Sequence, residues 1–82
     1  MDLLSQFLEQ ARQRRSLPPP AVRRVLREQA GLSQHDVALA LGIDRATVSR
    51  YESGQRAPRR RLVARYISLL ARLATEVAEQ GR

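Results

Sequence analysis

The segment at residues 34–53, QHDVALALGIDRATVSRYES, constrains the fold of this chain more than any other part of the sequence. Its apolar residues recur at the intervals that place side chains on one face of a helix, in two short runs. These residues are expected to form the shared inner face of two helices: Val37, Ala38, Leu41, Val48 and Tyr51. The spacing therefore predicts two short helices joined by a tight turn.

The turn and the helix starts have their own signals. Gly42 lies at the turn, where a positive φ would strain other residues, and Ile43 is expected to fill the corner after it. Ser33 followed by Asp36 predicts a capping box at the start of the first helix, and Asp44 predicts the N-cap of the second. The helix ends are thus predicted independently of the apolar faces.

From Arg27 through the run LSQHDVALALGIDRATVSRYESG, the chain resembles the Cro/repressor, or XRE-like, helix-turn-helix family. The specific marks are the LSQ at the start of the first motif helix, the Gly42 turn and the YESG at the end of the second. The resemblance covers roughly residues 22–70. It implies a lambda-repressor-like fold that binds double-stranded DNA.

Two further helices are predicted before the motif. The first begins behind Asp2 as its N-cap and is stopped by the prolines at 18–20. Its apolar residues recur at helical spacing: Leu3, Leu4, Phe7, Leu8 and Ala11. The second begins at Pro20, because proline is tolerated in a first turn, and ends at Gly31. Its inward residues are expected to be Val22, Val25 and Leu26.

After the motif, an apolar stripe predicts one long last helix that begins near Pro58 and fades at Gly81. The stripe consists of Leu62, Val63, Tyr66, Ile67, Leu70, Leu73, Ala74 and Val77. We therefore expect an all-α, lambda-repressor-like helix-turn-helix domain of about five helices, with an additional N-terminal helix. Residues 1–17 are the expected N-terminal amphipathic helix and arm. Residues 18–82 are the expected helix-turn-helix domain, with its motif at 33–53 and a long C-terminal helix.

Composition supports a small chain with one core and a basic surface. The 82 residues are 43% apolar, the formal net charge is +7, and all 15 basic residues are arginines. The planar arginine fork suits phosphate and guanine, although uniform arginine usage is equally explained by a GC-rich genome. The absence of cysteine fits a reducing cytoplasm, and neither a secretory signal nor a membrane-spanning stretch is expected.

The resemblance implies that the outward face of the second motif helix contacts base edges through Arg45, Ala46, Ser49 and Arg50. Arginine can donate two hydrogen bonds to guanine, and the Ala46 methyl can pack on the methyl of thymine. The alternative for either arginine is a contact with phosphate only, or a solvated side chain, because at least half of protein–DNA hydrogen bonds go to the DNA backbone.

Phosphate contacts are expected around this face, beginning with Gln34, which the resemblance places against the DNA backbone. The full set of expected phosphate contacts is Ser33, Gln34, Thr47, Ser53, Arg56, Arg59 and Arg60. Arg61 belongs to the same basic cluster around Pro58. The alternative for the cluster is a solvated basic face. Arginines at a helix N-terminus interact unfavourably with the helix dipole. An anion bound there would offset this local cost.

Other candidate residues are assigned to structure. The resemblance implies a partly buried ion pair between Arg27 and Glu52, in preference to recognition of cytosine by Glu52. His35 is the only histidine, so neither a metal site nor a cofactor is expected. Tyr51 and Tyr66 match core positions, so stacking on bases is not expected. No nucleophile with a matching base is found, and we expect no enzyme.

The sequence leaves two alternatives open for the oligomeric state. The chain has two spare apolar surfaces, Leu3/Leu4/Phe7/Leu8 at the front and Leu70/Leu73/Val77 at the back. They either cover each other within one chain or form a homodimer, in which the N-terminal helix is exchanged between chains. A two-fold dimer would bind a palindromic operator, with its recognition helices about 34 Å apart.

The sequence thus predicts a transcriptional regulator, in the cytoplasm of a bacterium or of a phage-infected cell, that represses by occupying an operator. The main alternative is an antitoxin-like adaptor, which binds a protein partner with its outer helices and uses DNA binding to regulate its own promoter. A third possibility is a recombination-directionality or architectural factor, which would bend its DNA strongly.

Overall fold

The computed structural model describes residues 2–81 and contains, within that range, five α-helices and no strand. In chain order they are α1 (Leu3–Ser16), α2 (Pro20–Gln29), α3 (Gln34–Leu41), α4 (Arg45–Ser53) and α5 (Arg60–Gln80). The expected all-α architecture is confirmed. Met1 and Arg82, the outermost residues of the two expected segments, lie outside the described residues.

The predicted N-caps of α1, α3 and α4 are confirmed by their hydrogen bonds. The side chains of Asp2 and Asp44 each accept a hydrogen bond from the backbone N–H three residues later, both at 2.7 Å. At the start of α3, the Ser33 hydroxyl accepts from the N–H of Asp36 at 3.0 Å, and the Asp36 carboxylate accepts from the N–H of Ser33 at 2.8 Å. Gly42 ends α3 with a φ of 73°, in the left-handed region. These local contacts fix where α3 ends and where α4 begins.

The core lies where α3 and α4 cross and is completed by buried side chains of α5, a helix that packs mainly on α2. All five residues predicted for the inner face of the motif are buried, and Val48 and Tyr51 have no exposed surface. From α5 the core receives most of the predicted stripe: Leu62, Val63, Tyr66, Leu70 and Leu73. Ile43 is half-buried at the corner after Gly42. The two motif helices are therefore held as one rigid unit.

The predicted inner face of α2 is wrong in part. Val22 and Val25 were expected to point inward, but they are 44% and 48% exposed, and only Leu26 of the three packs against the core. The inward positions are held instead by Arg23 and Arg27, which are 7% and 8% exposed. Arg27 is paired with the Glu52 carboxylate, whereas Arg23 donates only to neutral carbonyls, which offset part of the cost of burying its charge.

Arg23 binds two separate parts of the chain. Its Nε donates to the carbonyl of Pro18 at 2.7 Å, and one terminal nitrogen donates to the carbonyl of Tyr51 at 3.2 Å. Its guanidinium carbon lies 5.5 Å from the centre of the Tyr66 ring, within the range of a cation–π contact. Arg23 thereby connects the proline linker to the C-terminal half of α4.

α1 lies against α5 but leaves most of its own apolar face uncovered. Leu3, Leu4, Phe7 and Leu8 are all at least half exposed, whereas Leu70 and Leu73 on α5 are buried. The expectation of two spare apolar surfaces is therefore correct only for α1. None of the described helices is both long enough and apolar enough to cross a membrane.

Candidate nucleic-acid interface

The core holds α4 so that one of its faces points to solvent. Val48, Tyr51 and Glu52 are buried on the inner side of the helix. The Tyr51 hydroxyl also accepts a hydrogen bond from the N–H of Arg59 at 3.4 Å, which connects α4 to the residue before α5. α4 is thus fixed at both its inner face and its C-terminal side.

The residues expected to contact base edges share the outer face of α4. Arg45, Ala46 and Arg50 are exposed, and Ser49 is half-buried between them. The Arg50 side chain makes no hydrogen bond with the described residues. Since these four positions fall within less than half of the helix circumference, they can enter one groove together.

A hydrogen-bonded chain connects this outer face to the interior. The Arg27 guanidinium donates two hydrogen bonds to the Glu52 carboxylate, at 2.7 and 2.9 Å, and a third to the Leu32 carbonyl at 2.9 Å. The side chains of the ion pair are 10% and 3% exposed. The hydrogen bonds to Glu52 raise the pKa of the Arg27 guanidinium above its ordinary value, so Arg27 keeps its positive charge.

Glu52 also orients a side chain at the surface. Its Oε1 accepts a hydrogen bond from Nε2 of Gln34 at 3.2 Å, and Oε1 of Gln34 accepts one from Arg45 at 3.3 Å. The amide of Gln34 is thereby held with its oxygen toward Arg45. The resemblance implied the pair of Arg27 and Glu52, but nothing in the sequence indicated that Gln34 and Arg45 continue the same chain of bonds.

Three of the expected phosphate contacts lie together between α4 and the start of α5. Thr47, Arg56 and Arg59 line a cleft of about 160 Å³ at this junction. The pKa of Asp44, which also lines this cleft, is lowered by its hydrogen bonds from Thr47 and further by the nearby arginines. Asp44 therefore remains ionised and neutralises only part of the arginine charge.

The other expected phosphate contacts are placed separately. Ser33 and Gln34 lie at the N-terminus of α3, where the Ser33 hydroxyl is engaged in the capping box. The Ser53 hydroxyl donates to the carbonyl of Arg50 at 3.2 Å, and Arg60 is exposed but does not line the cleft. The expected contacts thus flank the outer face of α4 on two sides.

The first turn of α5 has an unfavourable electrostatic arrangement. α5 begins at Arg60, no acidic residue lies in its first turn, and Arg59 at the N-cap makes no side-chain capping bond. Cations near the positive end of a helix dipole are destabilising, whereas an anion there is stabilised. The start of α5 therefore favours binding of a negatively charged group.

Sequence reasoning missed two arginines that donate hydrogen bonds to the motif helices. Arg23 fixes the end of α4, as described above, and Arg65 of α5 donates to the carbonyl of Leu41 at the end of α3 at 3.2 Å. Both contacts join residues more than 20 positions apart. Neither spacing leaves a local signal in the sequence.

Comparison with known proteins agrees with this geometry. A family model described as a helix-turn-helix domain matches residues 23–80, which is well over half of the chain and reaches from the first turn of α2 to the end of α5. No curated protein and no solved structure gives a significant match.

Proposed function

The chain belongs to this helix-turn-helix domain family, and from that premise we propose that it is a transcriptional regulator that recognises a specific sequence in double-stranded DNA and represses by occupying an operator. The observation that supports this most directly is the outer face of α4, which is exposed while the inner face of the same helix is fully buried. A rigid exposed helix of this size fits the major groove. The proposed activity is binding, and no catalytic step is part of it.

Within this proposal, Arg45 and Arg50 contact base edges, with Ala46 and Ser49 beside them. An arginine that donates two hydrogen bonds to guanine discriminates against other bases by about 1–3 kcal/mol. Arg45 is partly oriented before binding by its hydrogen bond to Gln34. This lowers the entropy lost when the side chain is fixed on a base.

The DNA backbone is bound on both sides of α4 in the proposed complex. Gln34 and Ser33 contact phosphate at the start of α3, and the second set of contacts comes from the junction of α4 and α5: Thr47, Ser53, Arg56, Arg59 and Arg60. The net charge of +7 favours association with DNA of any sequence. These contacts set the orientation of α4, and the base contacts provide the specificity.

Selection of bound sites from random duplexes tests the proposal. We expect a defined site, and we expect it to bind at least about 1000-fold more tightly than a scrambled duplex at physiological salt. Equal affinity for the selected and the scrambled duplex would contradict the proposal.

We also propose that the protein binds as a homodimer to a palindromic operator. The support is the exposed apolar face of α1, since apolar side chains on a helix are usually covered by some partner. A dimer places two recognition helices about one turn of DNA apart, and the selected site would then contain two inverted halves.

A second candidate is favoured by the same exposed face of α1. In an antitoxin-like adaptor, this face would bind a different protein, and DNA binding would regulate only the adaptor's own promoter. The molar mass of the purified protein in solution separates the two candidates. A homodimer whose α1 faces are buried against each other supports the first, and a monomer that forms a stable complex with the product of an adjacent gene supports the second.

A further inference from the structure

A cleft away from the outer face of α4 has arginines as its only charged lining residues within residues 2–81. It has a volume of about 250 Å³ and lies between the end of α1, the start of α2 and the loop that follows α4. Arg14, Arg23 and Arg56 line it, and apolar side chains, including Leu17 and Val63, form the rest of its wall. No carboxylate among residues 2–81 lines it. We refer to it as the arginine cleft.

Arg23 is the buried member of this group and forms no ion pair with a carboxylate among residues 2–81. It is 7% exposed, and its hydrogen bonds go to the carbonyls of Pro18 and Tyr51. The second terminal nitrogen makes no hydrogen bond with the described residues. Among residues 2–81, every fully buried side-chain nitrogen or oxygen has a hydrogen-bond partner. The unbonded nitrogen of Arg23 is therefore accessible to solvent. A buried cation without a counter-charge is costly, and an anion in the cleft would offset that cost.

Arg56 connects the arginine cleft to the proposed DNA interface. It lines both this cleft and the smaller one that contains Thr47 and Arg59. The two clefts are therefore neighbours on either side of a single side chain. A DNA strand with one phosphate beside Thr47 and Arg59 would therefore pass close to Arg56, which also lines the arginine cleft.

From these observations we infer that the arginine cleft binds a phosphate group, and that the DNA backbone supplies it. The guanidinium fork matches the geometry of phosphate oxygens and can form paired, charge-assisted hydrogen bonds with them. Arg14 makes the end of α1 part of the DNA interface, beyond the helix-turn-helix motif. This assignment of the phosphate source rests on the function proposed above, whereas the anion site itself does not.

The salt dependence of DNA binding tests the source of the phosphate. The variant Arg14→Ala is compared with Arg15→Ala, which removes the same charge one residue later from an exposed side chain that lines neither cleft. We expect Arg14→Ala to lower the slope of log K against log salt by about 0.9, the value for one phosphate contact, and to weaken specific and scrambled duplexes by the same factor. Arg15→Ala is expected to leave the slope nearly unchanged. Equal slopes for the two variants would overturn the DNA contact.

Titration of the free protein with inorganic phosphate tests the site without DNA. The arginine Nε–H signals are followed by NMR, with chloride at equal ionic strength as the control. We expect the signals of Arg23 and Arg56 to shift in a saturable way, and we expect Arg14→Ala to weaken that binding about tenfold. Arg23 itself is kept, since its two backbone bonds hold α2 to the linker and to α4.

The two experiments together separate the possible results. Saturable shifts with a lower DNA slope support the inference in full. Saturable shifts with an unchanged slope overturn the DNA source and indicate a small phosphorylated ligand, and no shift overturns the site. If the wild-type protein does not distinguish its selected duplex from a scrambled one, the proposed function fails, and the phosphate titration still decides whether the cleft is an anion site.

Discussion

Glu52 is the residue at which the stability of the domain and its proposed recognition of DNA meet. Its carboxylate accepts two hydrogen bonds from Arg27 on the buried side and one from Gln34 on the surface side. Gln34 in turn accepts from Arg45. A change at Glu52 therefore affects both the folded core and the orientation of a proposed base contact.

The ion pair of Arg27 and Glu52 should show strong coupling in a double-mutant cycle. Glu52→Leu leaves the Arg27 charge buried without a counter-charge. Arg27→Leu likewise leaves the Glu52 carboxylate buried without a counter-charge. Each single variant is expected to lower the free energy of unfolding by about 3–5 kcal/mol, and the double variant by less than the sum. Urea unfolding followed by circular dichroism measures all four proteins. Additive losses would show that the pair is not energetically coupled.

Arg50 and Arg59 should separate base recognition from backbone binding. Arg50→Ala is expected to lose preference at one base pair, by about 1–3 kcal/mol, while its affinity for scrambled duplexes changes little. Arg59→Ala is expected to weaken all duplexes alike and to lower the salt slope by about one contact. Arg72→Ala, an exposed arginine far along α5, serves as the control for net charge. Identical behaviour of the first two variants on specific and scrambled duplexes would contradict the division of roles.

At the scale of helices, the sequence predicted the bounds of α3 and α4 well because their signals are local. The turn at Gly42 and the caps at Ser33 and Asp44 each depend on residues within three positions. The face of α2 could not be predicted in this way. Its valines resemble core residues, yet Arg23 is buried in their place, because the acceptor carbonyl of Tyr51 comes from 28 positions away.

The candidate site was predictable to the same extent. Which residues lie on the outer face of α4 follows from helical spacing, so Arg45, Ala46 and Arg50 could be placed from the sequence. The bond from Gln34 to Glu52 joins residues 18 positions apart in different helices, and only the packed structure brings them together. The role of each residue toward DNA stays a prediction.

The N-caps of α3 and α4 should make the stability of the domain sensitive to acid. Hydrogen bonds from Ser33 lower the pKa of Asp36, and hydrogen bonds from Thr47 lower the pKa of Asp44. A carboxylate with a pKa that is lower in the folded state contributes stability above its unfolded pKa, and this contribution is lost as the pH falls through the folded pKa. We therefore expect the urea midpoint to fall once the pH drops below about 4, the unfolded pKa of aspartate.

Variants at the caps identify the source of this acid sensitivity. Asp44→Asn keeps a side chain that can cap the helix but removes the titrating group, so its midpoint should fall less between pH 5 and pH 2 than that of the wild type. Glu76→Gln, which removes an exposed carboxylate of α5 that forms no hydrogen bond with the described residues, is the control. The attribution is wrong if the Asn variant keeps the full pH dependence of the wild type.

At the scale of the whole molecule, the apolar face of α1 and the outer face of α4 are distinct surfaces of one small protein. On α1, the exposed apolar side chains are Leu3, Leu4, Phe7 and Leu8. The apolar side chains of Leu70 and Leu73 on α5 are buried in the core. A single helix-turn-helix motif contacts only a few base pairs, so specific binding at low concentration needs a second motif on the same site. The proposed dimer would use α1 to join the two motifs.

Substitution on α1 tests this arrangement of the whole protein. The double variant Leu4→Ser/Phe7→Ser removes apolar surface that is at least half exposed in one chain, so we expect the helices to stay folded. We expect the molar mass in solution to fall to that of a single chain. Affinity for the full palindrome should drop on the order of 100-fold, because the two half-sites are then bound independently, while affinity for one half-site stays the same.

Leu39→Ser, on the exposed side of α3 at 68% exposure, removes a comparable apolar side chain outside α1 and should leave both the molar mass and the affinity for the palindrome unchanged. A double variant that remains a dimer with wild-type affinity would show that α1 is not the surface through which two copies associate.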